Sequence, residues 1–294
     1  MPERFTAAMS RRIPYLYGLF FIGVTAIWMY VQFPARAVEA YAVQKVAGLV
    51  PELTLTVAEV ALSFPAAVRF DGVSVQYQGA PALNLDRLRL RPGWKTLLPG
   101  KAAFGFQAEL GEGRASGRAE LSTRPEFSTD SLSIDLDSVQ VADLPILVRR
   151  AGRELAGLCS GELHYTSEAP PAAMKGRLVL ENGRVEVRLP MIKRQSLSFA
   201  KIDSEIDIKG RSLNLRRLVW QGPELDGEFS GTVEIKSPLE MSQIELLGNM
   251  LLHPAFLTEL HQTIPQRLMP KPGPGGRYGV QFSGTVANPR YRLR

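Results

Sequence analysis

Acidic residues recur at every second position in two segments of the chain, a spacing that suits acid–base chemistry. The two sets are Asp203, Glu205 and Asp207, and Asp135 and Asp137. Paired carboxylates act as general acid and base when their surroundings separate their pKa values. Here apolar residues such as Leu136 and Ile206 alternate with the acids, which is the pattern of a half-buried strand with one wet face. The sequence therefore places these acids on a solvated sheet face.

Basic residues show the same alternation at Arg87, Arg89 and Arg91. A solvated strand face is again the main interpretation, and contact with a lipid phosphate is the alternative. The formal net charge is +6 and is spread evenly along the chain. This charge does not favour a nucleic-acid partner, because dense runs of Lys and Arg are missing from the sequence.

Residues for nucleophilic or metal chemistry are few. The histidines are His164, His253 and His261, and Cys159 is the single cysteine. The histidines lack the cysteine or carboxylate spacing of a metal site, and the sequence has neither a G-x-S-x-G elbow nor a P-loop. We therefore predict a protein that is not an enzyme, with no catalytic residue, metal or cofactor.

An uncharged stretch from Ile13 to Phe33 is as long as a helix that crosses a bilayer. Arginines precede it, and aromatic residues lie near both of its ends, as in membrane anchors. The predicted anchor residues are Ile13, Tyr17, Phe21, Trp28, Tyr30 and Phe33. Residues 1–12 then form a cytoplasmic tail, and the body lies beyond the membrane. A signal peptide cleaved near Ala35–Ala37 is the alternative.

The remainder of the chain predicts a short helical linker and a β-rich body. The linker is expected at 34–51, where apolar residues recur every three or four positions. Residues 52–294 show two-residue alternation in about 14–16 short strands, with hairpin signals at Asp71–Gly72 and Asn182–Gly183 and a further turn at Gly111–Gly113. Short helices are expected at Pro145–Gly157 and Pro254–Ile264, and the two occurrences of helix plus strand suggest two units dividing near 144–170.

Three short motifs resemble type II secretion system protein N and the AsmA-like family. They are LAGLCSGEL at 155–163, EFSGTV at 228–233 and FSGTVANP at 282–289. The resemblance implies a single-pass protein of the bacterial inner membrane, with its amino terminus in the cytoplasm and its body in the periplasm. It also implies a mainly β fold, a curved antiparallel sheet shaped like a taco or a sandwich and capped by the two short helices.

In AsmA-like proteins the apolar inner face of the sheet holds acyl chains, which implies a groove here. The expected groove residues are Leu132, Ile134, Leu136, Leu178, Leu180, Val185, Val187, Ile206, Ile208, Phe229, Val233 and Phe282. Two functions follow from the resemblance. The first is an accessory component of type II secretion that binds other secretion-system proteins, and the alternative is a lipid-binding protein whose partner is phospholipid.

Overall fold

A single antiparallel sheet dominates the computed structural model of the protein. The structure describes residues 17–49 (except 19, 22, 26, 27, 29 and 31), 52–63, 67–97, 99–123, 128–145, 155–167, 171–186, 196–237, 241–263 and 271–293. Within these residues, fourteen strands pair in the order in which they follow along the chain. Each strand is antiparallel to its neighbours, so the sheet is an open meander.

The strands are mostly nine to fourteen residues long. They are β1 (Leu53–Ser63), β2 (Ala67–Tyr77), β3 (Ala80–Pro92), β4 (Lys101–Leu110), β5 (Gly113–Ser122), β6 (Ser128–Gln140), β7 (Leu155–Thr166), β8 (Ala173–Glu186), β9 (Ser196–Lys209), β10 (Ser212–Gln221), β11 (Leu225–Glu234), β12 (Gln243–Leu252), β13 (Arg277–Thr285) and β14 (Pro289–Leu293). Short 3₁₀ turns lie at Trp94–Leu97, Val141–Asp143 and Pro274–Gly276.

Two helices flank the sheet. Helix α1 (Ala35–Leu49) occupies the segment where the sequence predicted a helical linker, and α2 (Pro254–Thr263) matches the second predicted short helix. The helix predicted at Pro145–Gly157 is wrong at its end, because Leu155 to Gly157 belong to β7. Residues 146–154 lie outside the described part of the chain.

Two buried clusters hold the helices against opposite ends of the sheet. The first contains Phe70, Val73 and Leu85 from β2 and β3, and Val38 and Ala42 of α1 pack against it. The second joins α2 to β11, β12 and β13, and its members are Leu225, Leu252, Phe256, Leu260 and Tyr278. Helix burial of this kind stabilises each end through removal of apolar surface from water.

The Asp71–Gly72 and Asn182–Gly183 dipeptides do not form the predicted hairpins. Both lie inside long strands, β2 and β8, and their Gly72 and Asn182 backbones have φ of 61° and 50°. A positive φ suits a tight turn, but it equally suits an irregularity within a strand. In both strands the apolar alternation changes phase at this point, and apolar residues before and after it therefore reach the same side of the sheet.

The predicted sandwich and the predicted division of the body are also not seen. Extensive contacts join each strand only to its neighbours, so no second sheet layer packs on the first within the described residues. The sheet is continuous across the predicted boundary near 144–170, since β6 pairs with β7 from Ser131↔Thr166 to Gln140↔Leu158. The mainly β, antiparallel class is confirmed, in the form of one open sheet.

The predicted membrane span is described only in part. Ile13 lies outside the described residues, whereas Tyr17, Phe21, Trp28 and Tyr30 are helical and their side chains are 60–73% exposed. Phe33 is half-buried and packs against the cluster that holds α1. Among the residues that the structure describes, no helix has both the length and the apolar character to cross a bilayer. The anchor therefore stays a prediction from the sequence.

Candidate apolar binding face

One side of the sheet from β6 to β13 is continuously apolar, and we call it the apolar face. Cross-strand neighbours in an antiparallel sheet project to the same side, so a row of paired residues traces one face. The central row is Ile134, Leu163, Gly176, Ile206, Leu215, Gly231, Leu246 and Phe282. A parallel row contains Leu132, Tyr165, Met174, Ile208, Leu213, Val233 and Ile244.

The structure brings the predicted groove residues onto this face. Leu136 and Leu178 are both partners of Gly161, Leu180 pairs with Ile202, and Phe229 pairs with Leu218. Val185 pairs with Leu197, which packs against the α2 cluster on the same side. Val187 lies outside the described residues.

Sequence reasoning missed several residues of the face. Leu163, Tyr165, Leu213 and Leu246 occupy it, and each is half-buried. These residues were missed because the sequence does not give the register between strands. Alternation divides the residues of one strand into two faces, but it does not say which of those faces lies on the same side of the sheet as the apolar residues of the next strand. The glycines of the rows were also missed, since a residue without a side chain adds nothing to an apolar pattern.

Glycines in the apolar face leave space for an aromatic ring to lie against the backbone of the sheet. A Cβ at Gly227 would lie 2.6 Å from the Phe229 ring, and one at Gly248 would collide with the same ring. Phe229 therefore lies flat across these neighbouring glycines and reaches Phe282 two strands away. The two ring centroids are 5.8 Å apart at 65°, an edge-to-face contact.

Polar groups on the apolar face are few and mostly satisfied within the sheet. The Ser204 hydroxyl donates to the Leu178 carbonyl oxygen at 3.0 Å. Burial raises the pKa of the Cys159 thiol, which keeps it protonated and uncharged. The Trp220 indole Nε1 is buried without a hydrogen-bond partner. The face consequently has little with which to orient a polar ligand, and its chemistry is that of a hydrocarbon surface.

The opposite side of the sheet, the polar face, carries the alternating charges found in the sequence. Arg177 donates to Asp203 at 2.9 Å, and this hydrogen bond holds the pKa of the Asp203 carboxyl below its usual value. Asp207 differs from the prediction of a solvated acid, because it is 6% exposed and accepts a hydrogen bond from Arg216 at 2.8 Å. These acids act as partners of arginines.

The remaining residues singled out for chemistry are dispersed. His164 is on the polar face beside Glu162, whereas His253 and His261 lie at the start and near the end of α2. Within the described residues, no three potential ligands converge as a metal site requires.

The apolar face has no covering layer in the described part of the chain. Helix α1 contacts β1 at one end of the sheet. At the other end α2 packs on Leu225, Leu252 and Tyr278, which lie outside the central row. Between them the side chains of the central row are mostly half-buried. An amphipathic sheet is stable only when something covers its apolar side. This uncovered surface is therefore the strongest candidate for a binding site.

The structure thus defines a mainly β protein built from one open meander with an apolar and a polar face. Comparisons with models of protein families, with characterised proteins and with solved structures gave no significant match. The functional argument accordingly depends on the geometry of the sheet.

Proposed function

We propose that the protein binds lipid acyl chains along its apolar face and is held at the membrane by residues 13–33. The observation that carries the proposal is the row of half-buried apolar residues from Ile134 to Phe282, which no described element covers. A hydrocarbon chain suits this surface because it needs neither hydrogen bonds nor a counter-charge, and burial of apolar area alone supplies the binding energy.

The dimensions of the face agree with such a ligand. From β6 to β13 the rows cross seven strand spacings, which at ~4.8 Å each amount to roughly 34 Å. The acyl chains of one leaflet occupy about half of a hydrocarbon core that is roughly 30 Å thick. The face therefore has room for a complete acyl chain along its rows.

The aromatic residues of segment 13–33 support a location at the membrane. Tyr17, Phe21, Trp28 and Tyr30 expose large apolar surfaces that are unfavourable in water. A bilayer would cover these side chains and would place the apolar face near a source of lipid. The single-pass topology, with the body on the periplasmic side of a bacterial inner membrane, belongs to this proposal.

Two adjacent leucines on opposite faces provide the test. Leu246 lies in the central apolar row, whereas Leu247 pairs with Ser230 and Gln281 on the polar face and is 52% exposed. A photo-cross-linking amino acid replaces one or the other in the full-length protein, which is irradiated in cells and examined by mass spectrometry. We expect lipid adducts at position 246 and few at position 247. Equal labelling at both positions, or none at 246, would reject the proposal.

A second candidate function is an interaction with secretion-system proteins through the edge of the sheet, and a feature of β1 favours it. This strand is eleven residues long and has one charged residue, Glu59. No described segment pairs with its outer edge. Natural edge strands are usually short, charged or covered, so a long, weakly charged edge favours addition of a partner strand.

The test of this second candidate uses the same chemistry at another position. A photo-cross-linker at the exposed Thr54 of β1 should capture a protein, and deletion of the gene should stop export of type II substrates. Normal export in the deletion strain would eliminate the secretion role while leaving lipid binding untouched.

A further inference from the structure

A hollow of about 520 Å³ lies on the polar face between β3, β4, β5 and β6. We call it the arginine hollow, because Arg89, Arg91 and Arg118 line it. It exists because Gly105 has no side chain at the point where β4 passes between Arg91 and Arg118, its partners on the two adjacent strands. Gln107, Ser116 and Ser133 add polar groups to the lining.

The three arginines lack the partners that neighbouring arginines have. Arg87 binds both Asp71 and Glu109, at 3.0 and 3.1 Å, and these interactions raise its pKa. No ion pair joins Arg89, Arg91 or Arg118 to any carboxylate in the described part of the chain. In addition, the Arg89 Nε is buried and has no hydrogen-bond partner.

The charge balance of the hollow is positive. Asp135 is the one acid in its lining, against three guanidinium groups. The nearby acids Glu109 and Glu120 are engaged with Arg87 and Lys95. A buried donor without a partner is costly, and unpaired guanidinium groups around a concave surface are a recognition site for oxyanions.

We propose that the arginine hollow binds a phosphate-type oxyanion, either a free phosphate ester or the phosphate of a lipid headgroup. The planar guanidinium fork matches two oxygens of a phosphate, and the volume lies within the range of small-ligand sites. Seryl and glutamine side chains at the rim supply hydrogen bonds to the group that carries the phosphate. The arginine hollow is on the opposite side of the sheet from the apolar face, so this inference does not depend on acyl-chain binding.

Two substitutions test the site by different means. Arg118→Gln removes one cation, and Gly105→Leu fills the hollow while keeping all three arginines. A Cβ at Gly105 has its nearest neighbours at 3.9 and 4.0 Å, the carbonyl oxygens of Gly117 and Arg91, so the backbone leaves room for the first atom of a side chain. Arg114→Gln is the matched control, because Arg114 is exposed on the same strand as Arg118 and does not line the hollow.

The experiment measures binding of inorganic phosphate and of glycerol phosphate to the full-length protein in neutral detergent, by calorimetry. A second arm measures binding to mixed micelles that contain phosphatidylglycerol or phosphatidylcholine with the same acyl chains. We expect Arg118→Gln to weaken binding about tenfold or more, the usual effect of losing a charged hydrogen bond. Gly105→Leu should weaken binding at least as much, because its side chain occupies the space that the ligand needs. Arg114→Gln should stay within about twofold of the parent protein, since Arg114 is equally exposed on β5 but does not line the hollow.

The two arms distinguish the source of the phosphate. Saturable binding of soluble esters that the variants lose indicates a soluble ligand, whereas a response confined to phosphatidylglycerol micelles indicates a headgroup. Circular dichroism of each variant verifies that the sheet is intact. The proposal is overturned if folded Gly105→Leu binds as well as the parent, if Arg114→Gln loses as much as Arg118→Gln, or if neither arm shows binding.

Discussion

At the scale of single residues, the repeated Ser-Gly motifs have a common structural cause. Gly161 and Gly231 have φ of 151° and 150°. A Cβ at Gly161 would collide with the Arg177 carbonyl oxygen of the next strand, and one at Gly231 would collide with that of Glu245. The motifs that suggested a family therefore encode a close approach of adjacent strands, a requirement that any sheet of this geometry would share.

Gly231→Ala should lower the free energy of unfolding by about 2 kcal/mol, because alanine is strained at this φ and its methyl group meets the Glu245 carbonyl. Urea unfolding followed by circular dichroism measures the change. Gly105→Ala is the control, and we expect it to alter stability by less than about 0.5 kcal/mol, since its Cβ has space and no positive φ. Equal losses for both variants would contradict this account.

At the scale of elements, two-residue alternation predicted the strands well but not their ends. The Gly111–Glu112 turn was predicted correctly, because β4 and β5 pair up to Leu110↔Gly113 on either side of it. Asn182–Gly183 was not, since an asparagine at positive φ is compatible with a turn and with an irregular strand. Only the pairing of β8 with β7 and β9 decides between the two, and this pairing cannot be read from the dipeptide itself.

The same limit applies to the candidate sites. The apolar face could be predicted in part, because its residues alternate within each strand. The arginine hollow could not, because Arg118 is on a different strand from Arg89 and Arg91 and the hollow depends on the glycine between them. The sequence singled out Arg87 together with Arg89 and Arg91, but Arg87 is neutralised by Asp71 and Glu109.

The junction of α2 with the sheet contains a histidine, His253, whose hydrogen bonds depend on its protonation state. His253 Nδ1 is 3.0 Å from the Pro223 carbonyl oxygen, and Nε2 is 3.1 Å from Asp226 Oδ2. Both partners are acceptors, so only the imidazolium form donates to both at once. The hydrogen bond with Asp226, followed by that with Pro223, raises the pKa of His253.

The stabilisation from His253 should therefore depend on pH in a defined direction. Because the folded-state pKa is above the unfolded value of 6.5, the contribution is complete below about pH 6.5 and is lost as the pH rises through the folded-state pKa. The difference in unfolding free energy between the parent and His253→Gln should be larger at pH 6 than at pH 8.5. His261→Gln is the control, because His261 lies at an exposed position near the end of α2 and its replacement leaves both hydrogen bonds of His253 in place. A gap that widens with rising pH would contradict the assignment.

At the scale of the whole molecule, the sheet is close to one-dimensional. Each strand makes its extensive contacts with sequence neighbours, and no described layer connects distant strands. Stability in such an architecture is a sum of local terms and interfaces between neighbours, as in repeat proteins. The two faces of the sheet also differ in polarity. The apolar face is a hydrocarbon-like surface, whereas the polar face carries the charged side chains, some of them paired and some unpaired.

This architecture predicts that a destabilising substitution affects only the strands next to it. Hydrogen exchange followed by mass spectrometry should show the fastest exchange in β14, which has five residues and one paired edge, and slower exchange in the interior strands β8 and β9. Gly231→Ala should speed exchange in β10, β11 and β12, where its neighbours lie, and leave β2 and β3 unchanged. The expectation follows because the extensive described contacts of β11 are with β10 and β12, and none of them links β11 to β2. If exchange in β2 and β3 accelerated by the same factor as in β11, the sheet would unfold as one cooperative unit, and the neighbour-only description of its stability would be wrong.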